Sequence, residues 1–265
     1  MKKERLDEAL VRLQYADTPE LARAIIMEGR VFQNGNRLDK PAILLASDVG
    51  LTVKGDKLPY VSRGGLKLEK AIAAFGLTFE GKTCMDVGSS TGGFTDCMLQ
   101  KGAQKVYAVD VGYGLLDWKL RNDPRVVVME RTNARLLNPE MTGGERMDFA
   151  SMDVSFISIR TVLPAVRTCM KENAHLAVLV KPQFEARREQ VGKGGIVRDP
   201  KVHREVLETV IAAMPAIGLM PQGLTVSPIK GVGGNTEFLL HLTNTELNDA
   251  AFQAERAIED VLRFV

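Results

Sequence analysis

The chain has 265 residues, enough for one α/β domain and a small appended module. With 45% apolar and 26% charged residues and a formal net charge of +2, it should build a core. The same balance excludes a general electrostatic grip on polyanions, so any such binding must come from local sites. Cys84, Cys97 and Cys169 form no CxxC pair, and His175, His203 and His241 are scattered, so neither a metal site nor a disulfide framework is expected. Residues 1–10 are charged with no apolar stretch after them, and no run approaches a membrane span. The expectation is a reduced, soluble, cytoplasmic protein with no membrane partner.

Leu6, Leu10 and Leu13 fall on one face of a helix over 5–13. A second helix opens at Thr18-Pro19-Glu20, where Thr18 can cap and Pro19 suits the first helical position, and it stops at Gly29. A short strand at 31–33 meets Asn34-Gly35, a strong hairpin turn, and a last strand lies around 51–53.

Two helices, an IxxGxVxxNG turn and a hairpin with Lys40-Pro41 resemble the S4-type RNA-binding domain over about the first 55 residues. Where that family opens its second helix with Ser-Arg, this chain has Thr18-Pro19-Glu20, so one phosphate-contacting arginine is missing. Residues 1–62 carry ten Lys/Arg against nine Asp/Glu. The resemblance therefore implies modest RNA affinity, through Arg23, Arg30, Arg37 and Lys40, with Arg63 following in the linker. A small docking module with solvated surface charge is the alternative.

Residues 1–58 are thus read as the S4-type α+β domain, 59–64 as a linker punctuated by Pro59, Gly64 and Gly65, and 65–265 as a larger domain. Ser62 is placed to cap the helix that follows. Strands are expected at 83–87, 105–111, 126–130, 147–153, 176–180, 224–229 and 238–242, with helices between the first five. That alternation predicts a Rossmann-like, doubly wound and mostly parallel sheet. Residues 183–197, polar and glycine-rich, read as a mobile loop over an active site, and 246–264 as an amphipathic helix.

Cys84-Met85-Asp86-Val87-Gly88-Ser89-Ser90-Thr91-Gly92-Gly93-Phe94 is a buried strand ending beside an acid, then a small-residue loop entering a helix. Glycines there let backbone approach a ligand where side chains would collide. The loop would take the methionine part of S-adenosylmethionine, with Asp86 reaching its ammonium directly or through water. Asp110, just over twenty residues on at the next strand end, suits ribose hydroxyls, and Asn133 would border adenine. Nicotinamide cofactors also use glycine turns, but the GxGxxG pattern is absent, which favours a class-I methyltransferase over a dehydrogenase.

Lys67 lies early in the helix before the first of these strands, Asp153 ends the fourth, Lys181 ends the fifth, and Glu237 opens the last. In an open α/β sheet, ligands bind outside the carboxyl ends of the parallel strands. An antiparallel last strand would bring Glu237 to that edge too. Lys181 interrupts an apolar strand immediately before Pro182; Lys67 or Glu237 alone would read as a solvated terminus. Base-amino methyltransferases place Asp or Asn where Asp153 stands, usually followed by two prolines and an aromatic, whereas here Asp153-Val154-Ser155-Phe156 has no proline.

The Lys-Asp-Lys-Glu set resembles that of FtsJ-like RNA 2′-O-methyltransferases. The whole chain resembles the TlyA (hemolysin A) family, through 60–68, 86–96, Asp153-Val154-Ser155-Phe156-Ile157-Ser158, Val180-Lys181-Pro182-Gln183-Phe184-Glu185 and Gly233-Gly234-Asn235-Thr236-Glu237. The resemblance implies 2′-O-methylation of cytidine in ribosomal RNA, with Lys67, Asp153, Lys181 and Glu237 as the catalytic set. It also implies that the substrate is an assembled ribosomal subunit. A non-catalytic RNA-binding protein retaining the fold is the alternative, and a membrane-active hemolysin a distant third.

Overall fold

A computed structural model describes residues 3–13, 15–16, 18–46, 50–54, 59–245 and 252–265. The chain divides into two units, Met1–Ser62 and Arg63–Val265.

In the first unit, β1 (Lys3–Arg5) leads into α1 (Leu6–Arg12), then α2 (Pro19–Met27), β2 (Val31–Gln33), β3 (Asn36–Leu38), β4 (Leu44–Ala46) and β5 (Thr52–Val53). Thr18 Oγ1 accepts from Leu21 N at 3.2 Å, so the expected cap forms. Asn34 and Gly35 take positive φ of 49° and 82°, the geometry a two-residue hairpin turn demands. The β2–β3 hairpin follows, and β5 pairs antiparallel on the other side of β2. Leu6, Leu10, Ile25, Ile26 and Val31 form the buried core. Leu13 falls past the end of α1 and is exposed, outside the stripe expected of it.

The second unit begins with α3 (Gly64–Phe75), whose N-cap is Arg63 in helical conformation rather than Ser62. There follow β6 (Thr83–Val87), α4 (Gly93–Gln100), β7 (Lys105–Val109), α5 (Trp118–Arg121), β8 (Val126–Met129), β9 (Met147–Met152), α6 (Ile159–Thr168) and β10 (Met170–Val180). The chain closes with α7 (Pro182–Glu185), α8 (Pro200–Ile217), β11 (Met220–Val226), β12 (Phe238–Thr243) and α9 (Ala254–Leu262). Residues 246–251 of the helix expected over 246–264 lie outside the described residues.

The seven strands order as β11-β12-β10-β9-β6-β7-β8. Neighbours from β10 to β8 are parallel, while β12 runs antiparallel to both β10 and β11. All five residues of β6 are buried, as a central strand covered on both faces requires. Two strands start well before the expected residue. β10 starts six residues early, because exposed Lys171-Glu172-Asn173 masks its apolar pattern. β11 starts at Met220 despite Pro221, which an edge strand tolerates because one side of it needs no donor.

Candidate active site

The parallel strands end together, and β12 begins at the same edge because it runs the other way. Asp153 follows β9, Lys181 follows β10, Glu237 precedes β12, and Lys67 projects from the first turn of α3. The four meet. Lys67 Nζ donates to Asp153 Oδ2 at 3.0 Å and to Glu237 Oε2 at 2.8 Å. Lys181 Nζ stands 2.6 Å from Asp153 Oδ1 in an ion pair and donates to Ser155 Oγ at 2.9 Å.

Such a buried cluster survives because two cations face two carboxylates. Burial works against the Lys67 ammonium, but Asp153 and Glu237 outweigh it and raise its pKa above the ordinary lysine value. Burial likewise opposes the Asp153 carboxylate, and Lys67 and Lys181 overcome this to lower its pKa. Neither group is therefore poised as a neutral-pH base. Gly231 makes room for the arrangement, since a Cβ there would stand 2.1 Å from Glu237 Oε1.

Beside this cluster runs the glycine loop. Gly88 N and Ser89 N both donate to Val109 O, at 2.8 and 3.1 Å, and Gly92 N returns to Ser89 O at 2.7 Å. Gly88, Ser90 and Gly92 have positive φ; Thr91 O accepts from Asp117 N at 3.2 Å, and Gly93 and Phe94 open α4. The loop packs too closely for side chains at Gly88 or Gly92, where a Cβ would stand 2.5 Å from Asp153 O and 2.3 Å from Leu120 Cδ1. Asp110 stands at its rim, accepting from Ser90 N (2.8 Å) and Gly112 N (2.7 Å), with carboxylate lone pairs left for hydroxyl donors. These hydrogen bonds pull Asp110 out of the strand, which ends at Val109. Thr132 N donates to Asp110 O at 2.9 Å, and this places Asn133, which caps a one-turn 3-10 helix through Arg135 N, near that rim. These residues fit an adenosine-bearing cofactor.

Asp86 is 1% exposed. It is enclosed, with Oδ2 accepting from Thr95 N (2.9 Å) and Oγ1 (2.7 Å), and Oδ1 from Ser151 Oγ (3.0 Å). It thereby ties the end of β6 to the first turn of α4. Burial pushes its pKa up to about 6 against those hydrogen bonds.

Residues 183–197 carry more structure than a bare loop: α7, a 3-10 turn at Arg188–Gln190 and a bridge between Gly192 and Ile196. Asn235 pins them, accepting from Val197 N and donating to Gly195 O, both at 2.9 Å. Glu185, its side chain 1% exposed, accepts from Ser158 Oγ and Ile159 N at 2.7 Å and from Arg160 Nε at 3.3 Å. Phe156 is 91% exposed with φ +64°, its ring 5.2 Å from that of Phe184. The motifs containing Ser155, Phe156 and Glu185 are visible in the sequence, but no spacing rule assigns these three a part.

In the first unit, Arg23 is drawn to Asp7 (3.0 Å) and Glu20 (3.8 Å), and Arg30 to Lys54 O (2.7 Å). Arg37 and Lys40 are exposed. Among the described residues, no helix is long and apolar enough to cross a membrane.

Sheet order, reversed last strand and glycine cradle together define a class-I S-adenosylmethionine-dependent methyltransferase with an S4-type N-terminal domain. The FtsJ-like methyltransferase family matches residues 60–244 and the S4 domain family residues 4–48. The 16S/23S rRNA (cytidine-2′-O)-methyltransferase TlyA of Mycobacterium tuberculosis is 44% identical over 98% of this chain and 96% of its own length. A Bacillus subtilis protein provisionally named an rRNA methyltransferase, YqxC, is 57% identical over 91% of this chain and 86% of its own. A solved structure from Streptococcus thermophilus, provisionally named a hemolysin, superposes with TM-score 0.78 at 46% identity, covering 99% of this chain and 97% of that one. The chain belongs to the TlyA family of FtsJ-like methyltransferases.

Proposed function

We propose that this protein methylates the ribose 2′-hydroxyl of a cytidine in ribosomal RNA within the cytoplasm, taking an assembled ribosomal subunit as substrate. One observation carries the reading. Lys67, Asp153, Lys181 and Glu237 form one connected charge cluster at the sheet edge beside the glycine loop.

Gly88 to Phe94 would hold the methionine part of S-adenosylmethionine, while Asp110 and Asn133 would hold its adenosine. When bound, the cofactor supplies a methyl group on positively charged sulfur, and the methyl–oxygen bond forms as the methyl–sulfur bond breaks. A ribose hydroxyl is a weak nucleophile at neutral pH. The Lys181 ammonium, held by Asp153 and Ser155, would stabilise negative charge developing on that oxygen as its proton leaves to water. Lys67, kept protonated between Asp153 and Glu237, fixes Asp153 and adds positive potential. Positioning and electrostatics supply the catalysis.

The ribose hydroxyl is preferred over a base amino group because Asp153 is occupied by two ammonium groups and is not free to accept an amino proton. Arg37 and Lys40, both exposed, would meet phosphates, and exposed Phe156 would stack on an unpaired base. The test is transfer of labelled methyl to isolated ribosomal subunits from a strain lacking the protein, the label then mapped to base or ribose. Ribose label establishes the reaction; cofactor binding without transfer to either subunit would favour a non-catalytic RNA-binding role.

A further inference from the structure

Asp153 begins a segment tied down at both ends. Asp153 N donates to Val87 O at 2.9 Å, and Glu185 anchors Ser158 and Ile159. Between these anchors the chain turns through Phe156 at positive φ, and Ser155 meets Lys181. Ser155 Oγ accepts from Lys181, so its own proton must point elsewhere, and among the described residues no acceptor takes it. Ser155 is exposed. An ammonium has three protons. One of Lys181's goes to Ser155, while Asp153 attracts the charge from another side, leaving a donor direction for a bound oxygen.

Two donors, the Lys181 ammonium and the Ser155 hydroxyl, thus stand 2.9 Å apart at the mouth of the charge cluster. Neighbouring 2′ and 3′ oxygens of a ribose are separated by about one hydrogen-bond length, so a single nucleotide can meet both at once. We propose that Ser155 is a substrate-binding catalytic residue that donates to the 3′-oxygen of the target nucleotide while Lys181 faces the 2′-oxygen. This rests on the ribose-methylation reading. It gives the site a way to recognise the ribose edge itself, independent of the base. Ser155 also orients the Lys181 ammonium by accepting its hydrogen bond.

The experiment compares the full-length wild type with Ser155→Ala, Ser155→Thr and Ser155→Cys. Methyl transfer to ribosomal subunits is followed as kcat and KM, alongside S-adenosylmethionine affinity and melting temperature. Loss of one hydrogen bond predicts a fall of about three- to tenfold in kcat/KM for Ser155→Ala at unchanged cofactor affinity and melting temperature. Threonine, which keeps the hydroxyl, should restore most of it, and cysteine, a weak donor, should stay near alanine. Wild-type kinetics in Ser155→Ala would overturn the assignment, as would a threonine variant that folds and is as slow as alanine. If alanine does not fold, the threonine–cysteine difference decides alone. A wild type that puts no label on ribose would instead defeat the underlying reading.

Discussion

A Cβ on Gly88 would stand 2.5 Å from the carbonyl oxygen of Asp153, so the cofactor loop and the catalytic strand end touch through backbone. Gly88 also has φ +82°, which a side chain resists. Gly88→Ala should therefore damage both functions at once: S-adenosylmethionine affinity and methyl transfer fall together, with a stability loss of about 1–3 kcal/mol. Calorimetric titration with the cofactor and a thermal melt check this.

Lys181→Ala should separate the two functions. With the ammonium gone, transfer is expected to fall about 100- to 1000-fold, as when one charge-stabilising donor is removed from an active site. Cofactor affinity should hold, because nothing in the glycine loop bonds to Lys181. Equal loss of both would remove Lys181 from the role assigned to it.

Asp86 gives a pH prediction with a definite sign. Its pKa rises from 3.8 to about 6 on folding, so the folded state holds the extra proton. The associated stability is present below the unfolded value and is lost as pH rises through about 6, to a total of about 3 kcal/mol. Asp86→Asn keeps the shape and does not titrate. Melting curves across this range should show the wild type losing ground to the variant as pH rises, then a constant gap.

Glu185→Ala removes the acceptor for Ser158 Oγ, Ile159 N and Arg160 Nε. Leaving these donors unmatched should cost about 1–3 kcal/mol in a denaturant titration. Transfer should fall further than cofactor binding, since the freed segment carries Ser155 and Phe156.

Phe156→Ala should leave stability within about 0.5 kcal/mol, because the ring is 91% exposed. If the ring stacks on a base, RNA affinity should drop by about 1–3 kcal/mol. Filter binding of ribosomal subunits at fixed salt measures the difference.

Most of the fold was legible because periodicity reports burial directly: β6, with all five residues enclosed, reads as a continuous apolar run ending at the glycine loop. The charge cluster was legible for a related reason, since a lysine interrupting an apolar strand needs explaining. The enclosure of Asp86 was not legible, because sequence shows an acid at a strand end but not that Thr95 and Ser151 close over it. The parts played by Glu185 and Ser155 were not legible because their partners lie 25 to 27 residues away, across a crossover no local rule spans.

The placement of β12 has a consequence for how the protein is made. It comes last of the strands yet sits between β10 and β11. The sheet therefore cannot zip up in order of synthesis; β11 must wait, unpaired with its neighbours, until β12 slides in. Glu237 arrives with that strand, 170 residues after Lys67. A nascent chain stopped short of it would own the glycine loop and three of the four charges, and would lack the carboxylate that completes the cluster. The charge cluster is thus complete only once the last strand has joined the sheet.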